Sequence, residues 1–166
     1  MIEPGFNTLI STLQEYASTL AQDYKDRLIA DDKVASHQLI NSISTEIKVG
    51  SDSFLVVLNV VDYFKWVENG RKPGGKFPPI DKILSWIKVK PVIPRPMNGK
   101  LPTEQQLAFL IGRKIAIEGI APGNQLKETT EDLNNKYVPR LQKALEQDFE
   151  TYAIQVFNKI GSLTLF

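Results

Sequence analysis

The 166-residue sequence has no cysteine, a single histidine, His37, and no apolar run that approaches the ~20 residues of a membrane span. Without cysteine, disulfides, thiolate zinc sites, iron–sulfur clusters and cysteine nucleophiles are all excluded. One histidine leaves little for metal binding, and no cofactor is expected. An excess of one charge is also lacking: 20 Lys and Arg against 19 Asp and Glu give +1, which excludes a bulk polycation or an acidic tail. The start, MIEPGFNTLI, lacks the basic stretch of a secretory signal, so the chain is expected in a cytosol and not in a membrane.

What is present suffices for a core. At this length, with 42% apolar residues, one domain spanning 1–166 is expected, and folding buries about two thirds of the unfolded surface. Phe6, Leu9, Ile10, Leu13, Tyr16, Ala17, Leu20, Tyr24 and Leu28 recur at spacings of three and four, which predicts an amphipathic helix over 6–28. Asp31 to Gln38 is polar and reads as the end of that helix or a short turn. From Ile43 the period becomes two, through Thr45, Ile47 and Val49. Gly50-Ser51-Asp52 then offers a turn, and Phe54 to Val61 is a nearly continuous β-branched run. This predicts a hairpin whose second strand is the more buried.

An aromatic stretch, Tyr63, Phe64 and Trp66, leads into a tight loop with glycines at 70, 74 and 75 around Pro73. Pro78-Pro79 then begins a short amphipathic helix carrying Ile80, Ile83, Leu84, Trp86 and Ile87, which must stop before Pro91. Seven of the ten prolines lie between Pro73 and Pro102, and the stretch from about 89 to 103 is read as an extended arm. Thr103 and Gln106 match a capping box. The helix from Glu104 to Glu118 is apolar on most sides, is expected to be the central buried one, and is ended by Gly119. Gln125 to Asn135 is polar and poorly periodic. From Pro139 the apolar spacing predicts a last long helix ended by Gly161, followed by an apolar tail, SLTLF, suited to packing. The fold class expected is α+β, a small antiparallel sheet packed with four helices.

Few residues invite catalysis. Gly70 to Lys76 fits the first seven positions of a phosphate loop, but the eighth, Phe77, cannot ligate magnesium, and prolines follow where helix N–H groups should point at phosphate. His37 lies in a polar stretch with no nucleophile motif, so a solvated or capping role is expected. Asp31-Asp32 lacks the spaced oxygens of a calcium loop and reads as a helix-end acidic pair. Glu68 and Arg71 flank a glycine and suit either a catalytic acid with a carboxylate clamp or, more simply, contacts that fix the loop. No enzyme is expected.

Charge is uneven along the chain. Arg71, Lys72, Lys76, Lys82, Lys88, Lys90, Arg95 and Lys100 face only Asp81 between positions 71 and 100, giving +7 and leaving −6 elsewhere. With Trp66 or Trp86 to stack bases, Lys72, Lys76, Lys82, Lys88, Lys90 and Arg95 suit a nucleic-acid-binding module. They equally suit an acidic patch on another chain.

Between Tyr63 and Gly119-Ile120-Ala121-Pro122 the chain resembles the gene-product-ten-like neck or tail-completion proteins of tailed bacteriophages, which join head to tail. The resemblance rests on Val67-Glu68-Asn69-Gly70-Arg71-Lys72-Pro73-Gly74, the Pro78-Pro79 pair, Trp86 in Ile83-Leu84-Ser85-Trp86-Ile87, and the Ile111-to-Ile115 helix before Gly119. Two departures are the longer proline-rich insert Val89 to Thr103 and Asn124-Gln125-Leu126 where an aromatic-Leu pair is usual. The resemblance implies a non-enzymatic virion protein assembled in the bacterial cytoplasm, in a ring of about six or twelve copies at the portal–tail junction with DNA passing through. Its partners would be like copies, the portal or adjacent connector and tail proteins, and non-specifically the passing DNA. Trp66, Glu68, Gly70, Arg71, Lys72, Pro73, Lys90 and Arg95 would lie at subunit or partner interfaces, and Lys76, Lys88 and Lys100 would face the lumen.

Overall fold

A chain that alternates between periods of 3.6 and two should combine helices with a small sheet, and it does. In the computed structural model, which describes residues 5–34, 36–90, 92–96 and 99–163, with side chains as far as residue 160, the order is α1 (Asn7–Ala30), α2 (Gln38–Ser42), β1 (Ser44–Val49), β2 (Phe54–Asn59), α3 (Phe64–Asn69), α4 (Ile80–Val89), α5 (Glu104–Glu118) and α6 (Gln125–Leu163). The fold is α+β. Pro91, Met97 and Asn98 of the expected arm, Met1 to Pro4 of the start and Thr164 to Phe166 of the tail lie outside the described residues. No helix among those described is long and apolar enough to cross a membrane.

Packing gathers the chain into two compact units, each assembled from segments distant in sequence. Unit 1 takes Met1–Tyr24, Ser44–Asn59 and Lys127–Phe166; unit 2 takes Lys25–Ile43 and Val60–Leu126.

In unit 1 the antiparallel pairing of α1 with α6 is legible in side-chain contacts. Tyr16 stacks edge-on against Tyr137 at 5.5 Å, and the Arg140 guanidinium grips the Glu15 carboxylate through both nitrogens, at 3.0 and 2.5 Å. That bidentate bond, with the added positive charge and the Tyr137 hydroxyl, outweighs the cost of partial burial and holds Glu15 below the usual carboxylate range. Leu9, Leu13, Ala17, Leu20 and Tyr24 form the buried stripe of α1, and Leu133, Tyr137, Ala144 and Asp148 that of α6. The β1–β2 hairpin pairs Ser44 with Asn59 through Val49 with Phe54, closed by a 2.8 Å bond from Gly50 N–H to the Ser53 carbonyl. A two-stranded ribbon is marginal alone. Phe6 supports it, edge-on to both Phe54 (5.5 Å) and Phe149 (5.8 Å).

Asp148 is the buried charge of this unit, 7% exposed. Its two oxygens accept from the backbone N–H of Thr8 (3.1 Å) and Leu9 (2.8 Å), donors that a helix start leaves unsatisfied. Burial alone would raise its pKa, but the Leu9 N–H bond, with hydrogen bonds from the Thr8 side chain and N–H, outweighs burial and lowers it.

Two helices differ from expectation. Helix α6 does not begin at Pro139 or end at Gly161: it runs through both, from Gln125 to Leu163. Its first part looked aperiodic because Gln125 and Thr129, as buried as Leu133 and Tyr137, continue the four-residue stripe with polar side chains. Helix α5 is not the central buried element, since only Ala108 and Gly112 are buried while Phe109 and Ile117 are about half exposed. Its apolar surface serves α4 on one side, where Ile83, Ile87 and Ala108 form a buried cluster of unit 2, and is open on another. The capping box is formed, Thr103 Oγ1 accepting from Gln106 N–H and the Gln106 side chain accepting from Thr103 N–H. The aromatic stretch, read only as a lead into the loop, forms α3, and Pro79 stands at the N-cap position of α4, with no side-chain cap.

Candidate functional site

The loop after α3 and the turn after α5 carry most of the sequence signals, and in unit 2 they meet. Arg71 and Ile120 exchange both backbone hydrogen bonds at 2.8 Å, an isolated antiparallel bridge across fifty residues of sequence. Gly74 N–H donates to the Ala116 carbonyl at 2.8 Å, and Gly123 N–H to the Glu68 carbonyl at 2.9 Å. So close an approach needs residues without a side chain. A Cβ on Gly70 would strike the Ile120 carbonyl, and one on Gly119 the Arg71 carbonyl; both glycines also have positive φ, 63° and 77°.

Glu68 completes the lock. It is 7% exposed, and both carboxylate oxygens accept from Leu126 N–H, at 3.0 and 3.1 Å, where α6 begins. A negative charge there is stabilised by the orphan donors and the helix dipole. Arg71 turns elsewhere, its guanidinium donating to the Lys76 carbonyl. Glu68 and Gly70, which the resemblance would place at an interface, are both buried within the chain, one capping a helix and the other admitting a backbone. The phosphate-loop alternative is answered by the same contacts. The N–H groups of Arg71 and Gly74 already have carbonyl partners, and Phe77 stacks on Phe109 at 5.5 Å over Gly112, where a Cβ would collide with its ring.

Beside this lock lies a cleft of about 600 Å³. Its apolar wall comes from Trp66 of α3, Ile83 and Trp86 of α4, and Ile111 and Ile115 of α5. Lys82, Trp86 and Lys90 stand four residues apart, on one side of α4 and its continuation, and all three line it. Lys33 adds a further ammonium. Lys90 is engaged, its Nζ 2.6 Å from the Asp32 carboxylate and 2.6 Å from the Asp32 carbonyl. Asp31 accepts from Gln125 Nε2 at 2.9 Å, so the acidic pair after α1 fastens neighbouring elements. Trp66 and Trp86 are 62% and 40% exposed.

No family model, curated protein or solved structure matches this chain.

The remaining sequence candidates are dispersed. Lys72, Pro73 and Lys76 are exposed on the locked loop and Lys88 on α4, away from the Lys82 side. Arg95 is exposed in residues 92–96, which have no regular structure and in which Ile93 is 91% exposed. Lys100 and Leu101 line a second groove with Phe109 and Leu110. His37 is exposed at the start of α2, in a left-handed conformation, with no side-chain cap. Among the described residues no three His, Cys, Asp or Glu side chains cluster to hold a metal. Sequence reading missed the convergence of Trp66 with Trp86 and of Gly70 with Gly119; the paired glycines flanking Arg71 and Ile120 were the available signal.

Proposed function

We propose that this chain is a structural protein of a tailed-phage virion that assembles as a ring at the head–tail junction. The observation that carries this proposal is the convergence of the residues behind the resemblance. Val67 to Gly74 and Gly119 to Pro122, separate in sequence, form one glycine-locked unit, with the Trp86 helix beside it. Such a lock fixes a rigid frame, whereas the large apolar side chains left outside it, Trp66, Ile93, Leu101, Phe109 and Ile117, are of the kind that other chains cover. Head-to-tail contacts between like copies close into rings when the rotation permits.

The test is electron microscopy and native mass measurement of the protein alone and mixed with a portal. Closed rings of about six or twelve copies, alone or on the portal, are expected; a chain that stays monomeric in both settings overturns the proposal. Nucleic-acid binding has one specific observation in its favour, the convergence of Trp66, Trp86 and Lys82 on one cleft. That alternative requires DNA affinity that falls steeply with salt and is reduced in Lys82→Gln.

A further inference from the structure

The two compact units carry opposite charge. Unit 1 holds six Lys and Arg against eleven Asp and Glu, a net −5, and unit 2 holds fourteen against eight, a net +6. A chain that is neutral as a whole therefore presents two surfaces of opposite sign, each suited to the other on a second copy.

Within unit 1 one helix face has the form of a ligand. Glu146, Glu150, Ile154 and Phe157 follow one another at spacings of four, four and three along α6, in an exposed stripe turned away from its buried residues Ala144 and Asp148. All four are exposed, Ile154 by 53% and Phe157 by 72%. Two carboxylates followed by two large apolar anchors on one stripe is the pattern by which an amphipathic helix enters a groove.

Within unit 2 the cleft between α3, α4 and α5 has the complementary form. Its wall is aromatic and aliphatic, through Trp66, Trp86, Ile83 and Ile115, and Lys33 and Lys82 bring positive charge to it. Its volume of about 600 Å³ accommodates two large side chains and not a bulky domain.

We infer that the Glu146–Phe157 stripe of α6 from one copy docks in the Trp66–Trp86 cleft of the next. Phe157 and Ile154 enter the apolar wall, while Glu150 and Glu146 meet Lys82 and Lys33. The two surfaces differ, so the contact is head-to-tail, and repetition propagates a ring or a filament. The inference rests on the self-association proposed above and adds the contact that makes it.

The chain's two tryptophans, Trp66 and Trp86, both line the cleft, so their emission reports its occupation directly. Sedimentation velocity and tryptophan emission are followed together over a range of concentration for the full chain and its variants. The wild type is expected to associate with a blue shift of emission. Phe157→Asp, a change at an exposed position, should weaken association about tenfold or more and abolish the shift. Lys82→Glu and Glu150→Lys should each weaken it, and the two together should restore it. Three results overturn the inference: Phe157→Asp associating as tightly as the wild type, association without an emission change, or a wild type monomeric throughout. Assembly of Phe157→Asp into wild-type rings on a portal would overturn the docking alone and leave the ring proposal standing.

Discussion

At the scale of single residues, two buried carboxylates and two glycines hold the frame together. Gly70 and Gly74 both have positive φ, but a Cβ on Gly70 meets the Ile120 carbonyl whereas Gly74 has no heavy atom within 4 Å of that position. Gly74→Ala should therefore cost about 1 kcal/mol, the left-handed penalty alone. Gly70→Ala should cost roughly 3 kcal/mol or more, because the bridge must open; urea unfolding midpoints of the pair decide this. Asp148 has its pKa lowered in the fold, by hydrogen bonds that overcome its burial. Its contribution is thus present at pH values above the unfolded carboxyl's pKa and is lost as pH falls through the folded one. Asp148→Asn should cost about 1–2 kcal/mol at neutral pH and progressively less toward acid, a convergence that thermal melts across pH would show.

At the scale of elements, sequence periodicity was a good guide wherever one face was uniformly apolar. Helices α1 and α4, the hairpin, and the Thr103–Gln106 box were all legible, because local pattern and tertiary burial agree there. Helix α6 was only half visible, because proline and a polar buried stripe both argue against a helix that packing nevertheless imposes. Pro139 has no N–H to donate to the Asn135 carbonyl, and it is tolerated within a helix of 39 residues because the turns on either side are anchored by Leu133, Tyr137 and Ala144. Pro139→Ala should stabilise the protein by roughly 2 kcal/mol, read as a rise in melting temperature. No rise would mean that α6 bends there for a reason of its own. Helix α5 was misread for the opposite reason: an apolar sequence marks what will be covered, without saying whether by the same chain.

At the scale of the molecule, the +7 stretch from Arg71 to Lys100 foreshadowed the separation of charge between the units, but not which residues share a cleft. That depends on Trp66 and Trp86 being brought together through the bridge from Arg71 to Ile120, a pairing too distant in sequence for periodicity to reveal. If opposite units of neighbouring copies attract, self-association should weaken as salt rises, by about tenfold between low and physiological ionic strength. Light scattering in graded sodium chloride checks this, and a constant that is flat or increases with salt would assign the contact to apolar burial alone. The caps also set an order of events during synthesis. The start of α1 is held by Asp148, 140 residues later, and unit 1 takes its first segment from before the whole of unit 2 and its last from after it. On a ribosome, unit 2 can therefore close while the N-terminal helix still lacks the partner that caps and buries it. The contacts that helix makes with α6, from Asp148 to Tyr137, form only once α6 is made, so unit 1 completes its packing after unit 2 can.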